Sequence, residues 1–252
     1  MTGQRVRLAV AVLVAALALG ACGGSTGTGS TGNGSAGSEP AGNGSTTNAA
    51  DNGVAAKTAD EILSEATTVF RGASSVHLVG RLVDPDQSVE LDVRLGRDMS
   101  QGSVTQKGAK LEIIATGGNL YMRGKQFWVT NAPANIANQV GDRWARLPVS
   151  GLRDSLAFTN LVSIQAFADG GLKPSGKITK GQGGTVDGAK AIAIKDADGS
   201  SLWVATTGPA YPLRIGPASA SASTDSIAFR DYNAELSVTA PGDSIDFTQV
   251  TG

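Results

Sequence analysis

The apolar positions of this chain change their period along its length, and each change marks an element. From Leu8 to Leu19 the run is almost unbroken; after Thr58 the spacing is helical, with Ile62, Ala66, Val69 and Phe70 recurring until Gly72. Thr58 with Glu61 three residues on predicts a capping box, in which hydroxyl and carboxylate each accept from an otherwise unpaired amide. From Ser75 the period becomes two: Val76, Leu78, Gly80 and Leu82, then Val89, Leu91, Val93 and Leu95 alternating with Glu90, Asp92 and Arg94. Asp84-Pro85-Asp86 between these runs is a turn, so they predict an antiparallel hairpin with one wet face and one dry one.

Short strands separated by glycine follow at residues 104–106, 110–116, 119–123 and 126–130, with Lys107-Gly108, Gly117-Gly118 and Gly124-Lys125 as turns. With Gly124-Lys125 as a hairpin turn, Met122 faces Phe127, Leu120 faces Val129, and Tyr121 pairs with Trp128 on the other face. Alternation then lapses. Residues 132–140 and 158–167 predict helices flanking residues 141–148, a helical insertion between strands. Strands resume at 177–180, 190–196, 201–206, 212–215, 226–232 and 234–239. The pattern is that of an α+β domain: one antiparallel sheet with helices gathered on one side.

Leu19-Gly20-Ala21-Cys22 gives the first apolar run its meaning. Arg5 and Arg7 precede it, and roughly a dozen apolar residues suit a signal peptide but cannot span a bilayer. Small residues followed by a cysteine form a lipoprotein cleavage site, so residues 1–21 are the signal and Cys22 is the lipidated first residue of the mature chain. Its acyl chains hold the protein to the outer leaflet of the cytoplasmic membrane, on the extracytoplasmic face, at about 0.8 kcal/mol per buried methylene. Residues 22–56 are Gly-, Ser- and Thr-rich with almost no large apolar side chain, and read as a flexible tether of roughly 30–35 Å.

Residues 57–252 form one domain. That length buries roughly 70% of its unfolded surface. Cys22 is the only cysteine, so an exported fold must rest on its apolar core and not on disulfides. Without Arg5 and Arg7 the chain carries 19 basic against 22 acidic residues, a net charge of −3, which argues against nucleic acid as a partner.

The residues offer little for catalysis. His77, the one histidine, sits in a strand with apolar neighbours, and no Gly-x-Ser-x-Gly elbow accompanies it. Asp84, Asp86, Glu90 and Asp92 do not match a calcium loop; Glu90 and Asp92 belong to the wet face of a strand. Gly181-Gln182-Gly183-Gly184 lacks the Lys-Ser/Thr ending of a phosphate loop and reads as a turn. Trp128, Trp144 and Trp203 are spread too widely for a carbohydrate platform and read as packing residues. No enzyme, cofactor or metal is predicted.

The chain resembles the actinobacterial LppX/LprAFG-like lipoproteins, whose fold is related to the LolA and LolB carriers. The resemblance lies in the Cys22 lipobox and tether, the opening helix leading into Ser75-Val76-His77-Leu78-Val79-Gly80, Gly118-Asn119-Leu120-Tyr121, Gly141-Asp142-Arg143-Trp144, and Asp231-Tyr232-Asn233 followed by Val238-Thr239-Ala240-Pro241. It implies a curved antiparallel half-barrel with helices on the concave side, enclosing an apolar cavity that holds a lipid or lipid-linked glycan, without catalysis. Leu91, Val93, Leu120, Met122, Phe127, Leu161, Ile164 and Phe167 are the candidate lipid-binding residues, with a lid among residues 132–167. For any one of these residues the favoured reading is that it packs on its neighbours in a dry core. The alternative is an envelope protein-interaction module without a ligand cavity.

Overall fold

The computed structural model describes residues 50–83, 88–151, 157–217 and 225–250. The signal, Cys22, most of the tether and the turn Asp84-Pro85-Asp86 lie outside the described residues. Helix α1 (Ala59–Gly72) opens on the predicted capping box: Thr58 accepts from the Glu61 amide, and the Glu61 carboxylate accepts from the Thr58 amide at 2.8 Å. Strands β1 (Ser75–Val83) and β2 (Ser88–Gly96) pair antiparallel from Ser75–Gly96 to Val83–Ser88. Then come β3 (Ser100–Gln106), β4 (Ala109–Thr116) and β5 (Asn119–Arg123).

Helices α2 (Lys125–Asn131) and α3 (Ala134–Val140) follow, then β6 (Trp144–Pro148), a 3-10 turn at Ala157–Leu161, and α4 (Ile164–Gly170). The remaining strands are β7 (Thr179–Val186), β8 (Ala189–Lys195), β9 (Ser200–Ala205), β10 (Pro212–Pro217), β11 (Ser226–Arg230) and β12 (Ser244–Asp246). They make one open, curved sheet in the order β12-β6-β5-β4-β3-β2-β1-β11-β10-β9-β8-β7, antiparallel except for the β12–β6 pair. The fold is the α+β half-barrel that the resemblance implies.

One face of this sheet is dry. Val76 and Leu78 of β1, Leu91, Val93 and Leu95 of β2, Leu111 and Ile113 of β4 and Leu120 of β5 share a cluster with Phe127 and Trp128 of α2, Val140 of α3 and Ile164 and Phe167 of α4. Helix α1 ties this cluster to a second one: Phe70 belongs to the first, while Ile62 and Ala66 pack with Ile192, Ile194 and Val204. All helices therefore lie on one side, where the alternating residues of the strands need covering.

Several elements depart from the sequence reading. Residues 126–130 are helical, so Phe127 does not face Met122 across a hairpin, nor Val129 Leu120, nor Trp128 Tyr121. The reason is that Phe127 and Trp128 are both buried. Adjacent residues of a strand point to opposite faces, whereas a helix can turn both toward one core. Residues 144–148, placed in the helical insertion, form β6, where Ala145 points inward between Trp144 and Arg146. Gly181-Gln182-Gly183-Gly184 is no turn but the middle of β7, with a bulge between Lys180 and Gly183. Residues 234–239 are not a strand; the chain pairs later, at β12.

Residues 51–56, assigned above to the tether, are already part of the fold. Asp51 bridges to Thr207, the Asn52 side-chain amide donates to the Ala205 and Gly208 carbonyls, and Val54 is fully buried.

Two glycines mark where the strands press together. A Cβ on Gly80 would sit 2.0 Å from the Ser226 carbonyl oxygen, and one on Gly102 would sit 2.1 Å from that of Asp92. Gly102→Ala is expected to destabilise the fold by about 2 kcal/mol, lowering the melting temperature by about 4–8 °C in a thermal denaturation scan. An unchanged transition would show that β2 and β3 can separate without cost.

Candidate functional site

The eight candidate residues come together. Leu91, Val93, Leu120 and Met122 rise from β2 and β5, and Phe127, Leu161, Ile164 and Phe167 descend from the helical layer, all within one cluster and none more than 8% exposed. Aromatic contacts fill the space between the layers. Phe70 meets Phe167 and Phe229 at 5.8 and 5.9 Å, and Phe127 meets Trp128 and Phe158 at 5.6 and 5.8 Å. The apolar residues that the resemblance assigns to a cavity are here packed on one another.

The apolar cleft found among the described residues lies elsewhere, between α1, the loop after α4 and strands β8–β10, with Leu63, Leu172, Ile194, Leu202 and Ile215 in its walls. At about 40 Å³ it has room for little more than a water molecule. A drug-sized ligand occupies roughly 300–1,000 Å³. A larger depression, about 420 Å³, is polar and bordered by Lys110, Glu112, Arg123, Lys125 and Asp142.

The cover is held unevenly. Helix α1 carries a capping box, and Arg71 ties it to Asp169 of α4 at 2.5 Å; α4 has its own cap, the Ser163 hydroxyl accepting from the Ala166 amide. Helices α2 and α3 have seven residues each and no side-chain cap. Helices this short are marginal without tertiary contacts, so apolar packing on the sheet carries most of their stability. Trp128 of α2 is buried with an indole Nε1 that has no hydrogen-bond partner among the described residues, an uncommon state for a buried tryptophan.

One element of the cover was not legible in the sequence. A 3-10 turn at Phe247–Gln249 follows β12, and Phe247 stacks on Trp128, ring centroids 5.3 Å apart and planes at 29°. Asp246 accepts from Arg146 at 3.0 Å and from the Thr248 hydroxyl and amide. Those bonds, Thr248 first and Arg146 second, hold its carboxyl below the usual range. These contacts join residues 100 or more positions apart and leave no local signal.

The other residues considered from the sequence lie outside this layer. His77 is on the opposite face of β1, with Nε2 2.7 Å from Asp92 and Nδ1 3.3 Å from Asp231, linking β1 to β2 and to the turn after β11. Glu90 is half exposed beside Arg81. Trp203 is buried among Val186, Ala191 and Ala193, and Trp144 lies under the Arg123 guanidinium, 4.6 Å from its ring centroid. Among the described residues no group of three or more His, Cys, Asp or Glu is arranged to hold a metal ion. No helix among them is long and apolar enough to cross a membrane.

No protein-family model matches the chain, and no curated protein matches it. Among solved structures it is similar to LprF from Mycobacterium bovis, with 13% identity and a TM-score of 0.45 over 73% of this chain and 96% of that one. It is also similar to the Mycobacterium tuberculosis lipoprotein LppX, with 15% identity and a TM-score of 0.43 over 71% and 99%.

If the two layers are in full contact, trimming a side chain between them opens a void. Leu120→Ala is expected to cost about 2–5 kcal/mol in a denaturant titration. A loss below about 1 kcal/mol would mean that Leu120 borders open space instead.

Proposed function

We propose that the protein is a membrane-anchored extracytoplasmic lipoprotein that binds a lipid or lipid-linked glycan between its sheet and the α2–α3 cover, with the cover displaced from the packed position. The observation that supports this is the pairing of a broad apolar sheet face with a cover made of short, uncapped helices. Such a cover is separable from the sheet without breaking a hydrogen-bonded ladder.

The energies are of similar size. Lifting a cover that buries Phe127, Trp128, Val140 and Phe158 exposes four large side chains, at roughly 6–12 kcal/mol. An acyl chain of about fourteen methylenes leaving water gains about 11 kcal/mol. Hydrocarbon can thus replace side chains against the sheet, and the protein exchanges between a filled and a liganded state with no catalytic group taking part. A docking module would instead present an apolar patch; among the described residues the one large apolar side chain that is exposed is Val129.

Two measurements test the reading. Cys22→Ser is expected to move the protein from the membrane to the soluble fraction; retention on the membrane would remove the anchor. Organic extraction of the protein purified from its own envelope, followed by mass spectrometry, is expected to release stoichiometric lipid. An extract free of lipid, from a protein that also fails to bind added acyl chains, would leave the protein-interaction alternative.

A further inference from the structure

We infer that the C-terminal segment around Asp246 and Phe247 occupies the ligand entrance as a built-in plug, and that the ligand it stands in for is an amphiphile with an anionic head next to an apolar chain. The inference rests on the lipid-binding reading above and specifies both the entrance and the ligand class.

The segment has the form of a pseudo-ligand. After β11 the chain crosses to the far side of the sheet and adds only three residues to it, Ser244, Ile245 and Asp246, parallel to Trp144, Ala145 and Arg146 of β6. Among the described residues this is the one parallel pairing in the sheet, and it covers the outer edge of β6. The Asp246 carboxylate meets the Arg146 guanidinium at 3.0 Å, while Phe247, partly buried, stacks on Trp128 at the margin of the core. An anion and an apolar ring thus sit next to each other at the β6 edge, one on a cation and one on the indole of α2.

Beneath the plug is a group that the closed fold does not use. Trp128 Nε1 is buried and lacks a partner among the described residues, which is costly for an indole N–H. With Phe247 withdrawn, that N–H and the face of the Trp128 ring border the opening between β6 and α2. An ester or glycosidic oxygen beside the first methylenes of a chain would satisfy it, with the anionic head on Arg146. Carboxylate and phosphate heads share this chemistry, and Thr248, whose amide and hydroxyl both donate to Asp246, holds the resident carboxylate in the same place.

The test uses cis-parinaric acid, an anionic fluorescent polyene, and its uncharged methyl ester. A plug seated at least nine times in ten masks the site accordingly, so Phe247→Ala is expected to tighten parinarate binding by about tenfold or more. The ester should gain less, and adding Arg146→Gln should remove the difference between acid and ester. Dimyristoyl phosphatidic acid competing as well as myristate would assign both head groups to the site; competition by one alone would assign that one.

A second variant guards against loss of folding. In a Cys22→Ser background, Ala145→Cys with Ile245→Cys joins register partners of β6 and β12. The oxidised protein should not bind parinarate, and reductant should restore binding. Equal binding by oxidised and reduced protein, or a folded Phe247→Ala variant with no gain, would overturn the plug. If lipid is nevertheless found in extracts of the unaltered protein, the plug fails and the lipid-binding reading stands.

Discussion

A sheet this wide with a single dry face must be covered, and that requirement organises the molecule. Leu78, Val93, Leu111, Ile113 and Leu120 are fully buried on strands β1, β2, β4 and β5. Keeping that face from water is the largest favourable contribution to the fold. The helices supply the cover, yet they do so with different degrees of commitment. Helix α1 is capped, spans both apolar clusters and is linked to α4 through Arg71; α2 and α3 contribute large side chains and little else. Stability is therefore concentrated in the sheet with α1 and α4, and the capacity to open in α2 and α3.

The opposite face does different work. Its contacts are polar and partly exposed, as in His77 between Asp92 and Asp231, or Asp187 with Arg230. Pairs of this kind contribute little individually. They fix neighbouring strands without forming a second apolar layer, apart from the small cluster around Trp203. The sheet's far edge, β7, is rich in glycine, bulged, and largely exposed, with Lys180 donating to the Ala55 and Lys57 carbonyls. A bulge and a lysine are common means of blunting an edge strand.

Local signals made half of this legible. The capping box at Thr58 and Glu61, the alternation through Val76 to Leu95 and the turns at Lys107-Gly108 and Gly117-Gly118 all act over a few residues, and the structure follows them. The cover followed other rules. Phe127, Trp128 and Val129 look like a strand by composition, but Phe127 and Trp128 are both buried, and a helix allows both aromatics to reach one core. Trp144 to Pro148 has one fully buried residue, too short a pattern to read as β6. The seat of Phe247 on Trp128 depends on the pairing of β12 with β6, about 100 residues earlier in the chain. For the eight candidate residues, the sequence carried their convergence on one apolar layer; whether that layer opens is a property of the cover's energy, which no side-chain pattern encodes.

The central claim is that the α2–α3 cover leaves the sheet while the rest stays folded. Amide hydrogen exchange of the full chain, with and without a lysophospholipid below its micelle concentration, measures this directly. The account predicts that amides of residues 125–140 exchange through an opening far less costly than those of β1 and β2, and that lipid changes protection in residues 125–140 and 244–249 alone. Protection of the cover equal to that of β1 and β2, unaltered by lipid, would contradict it.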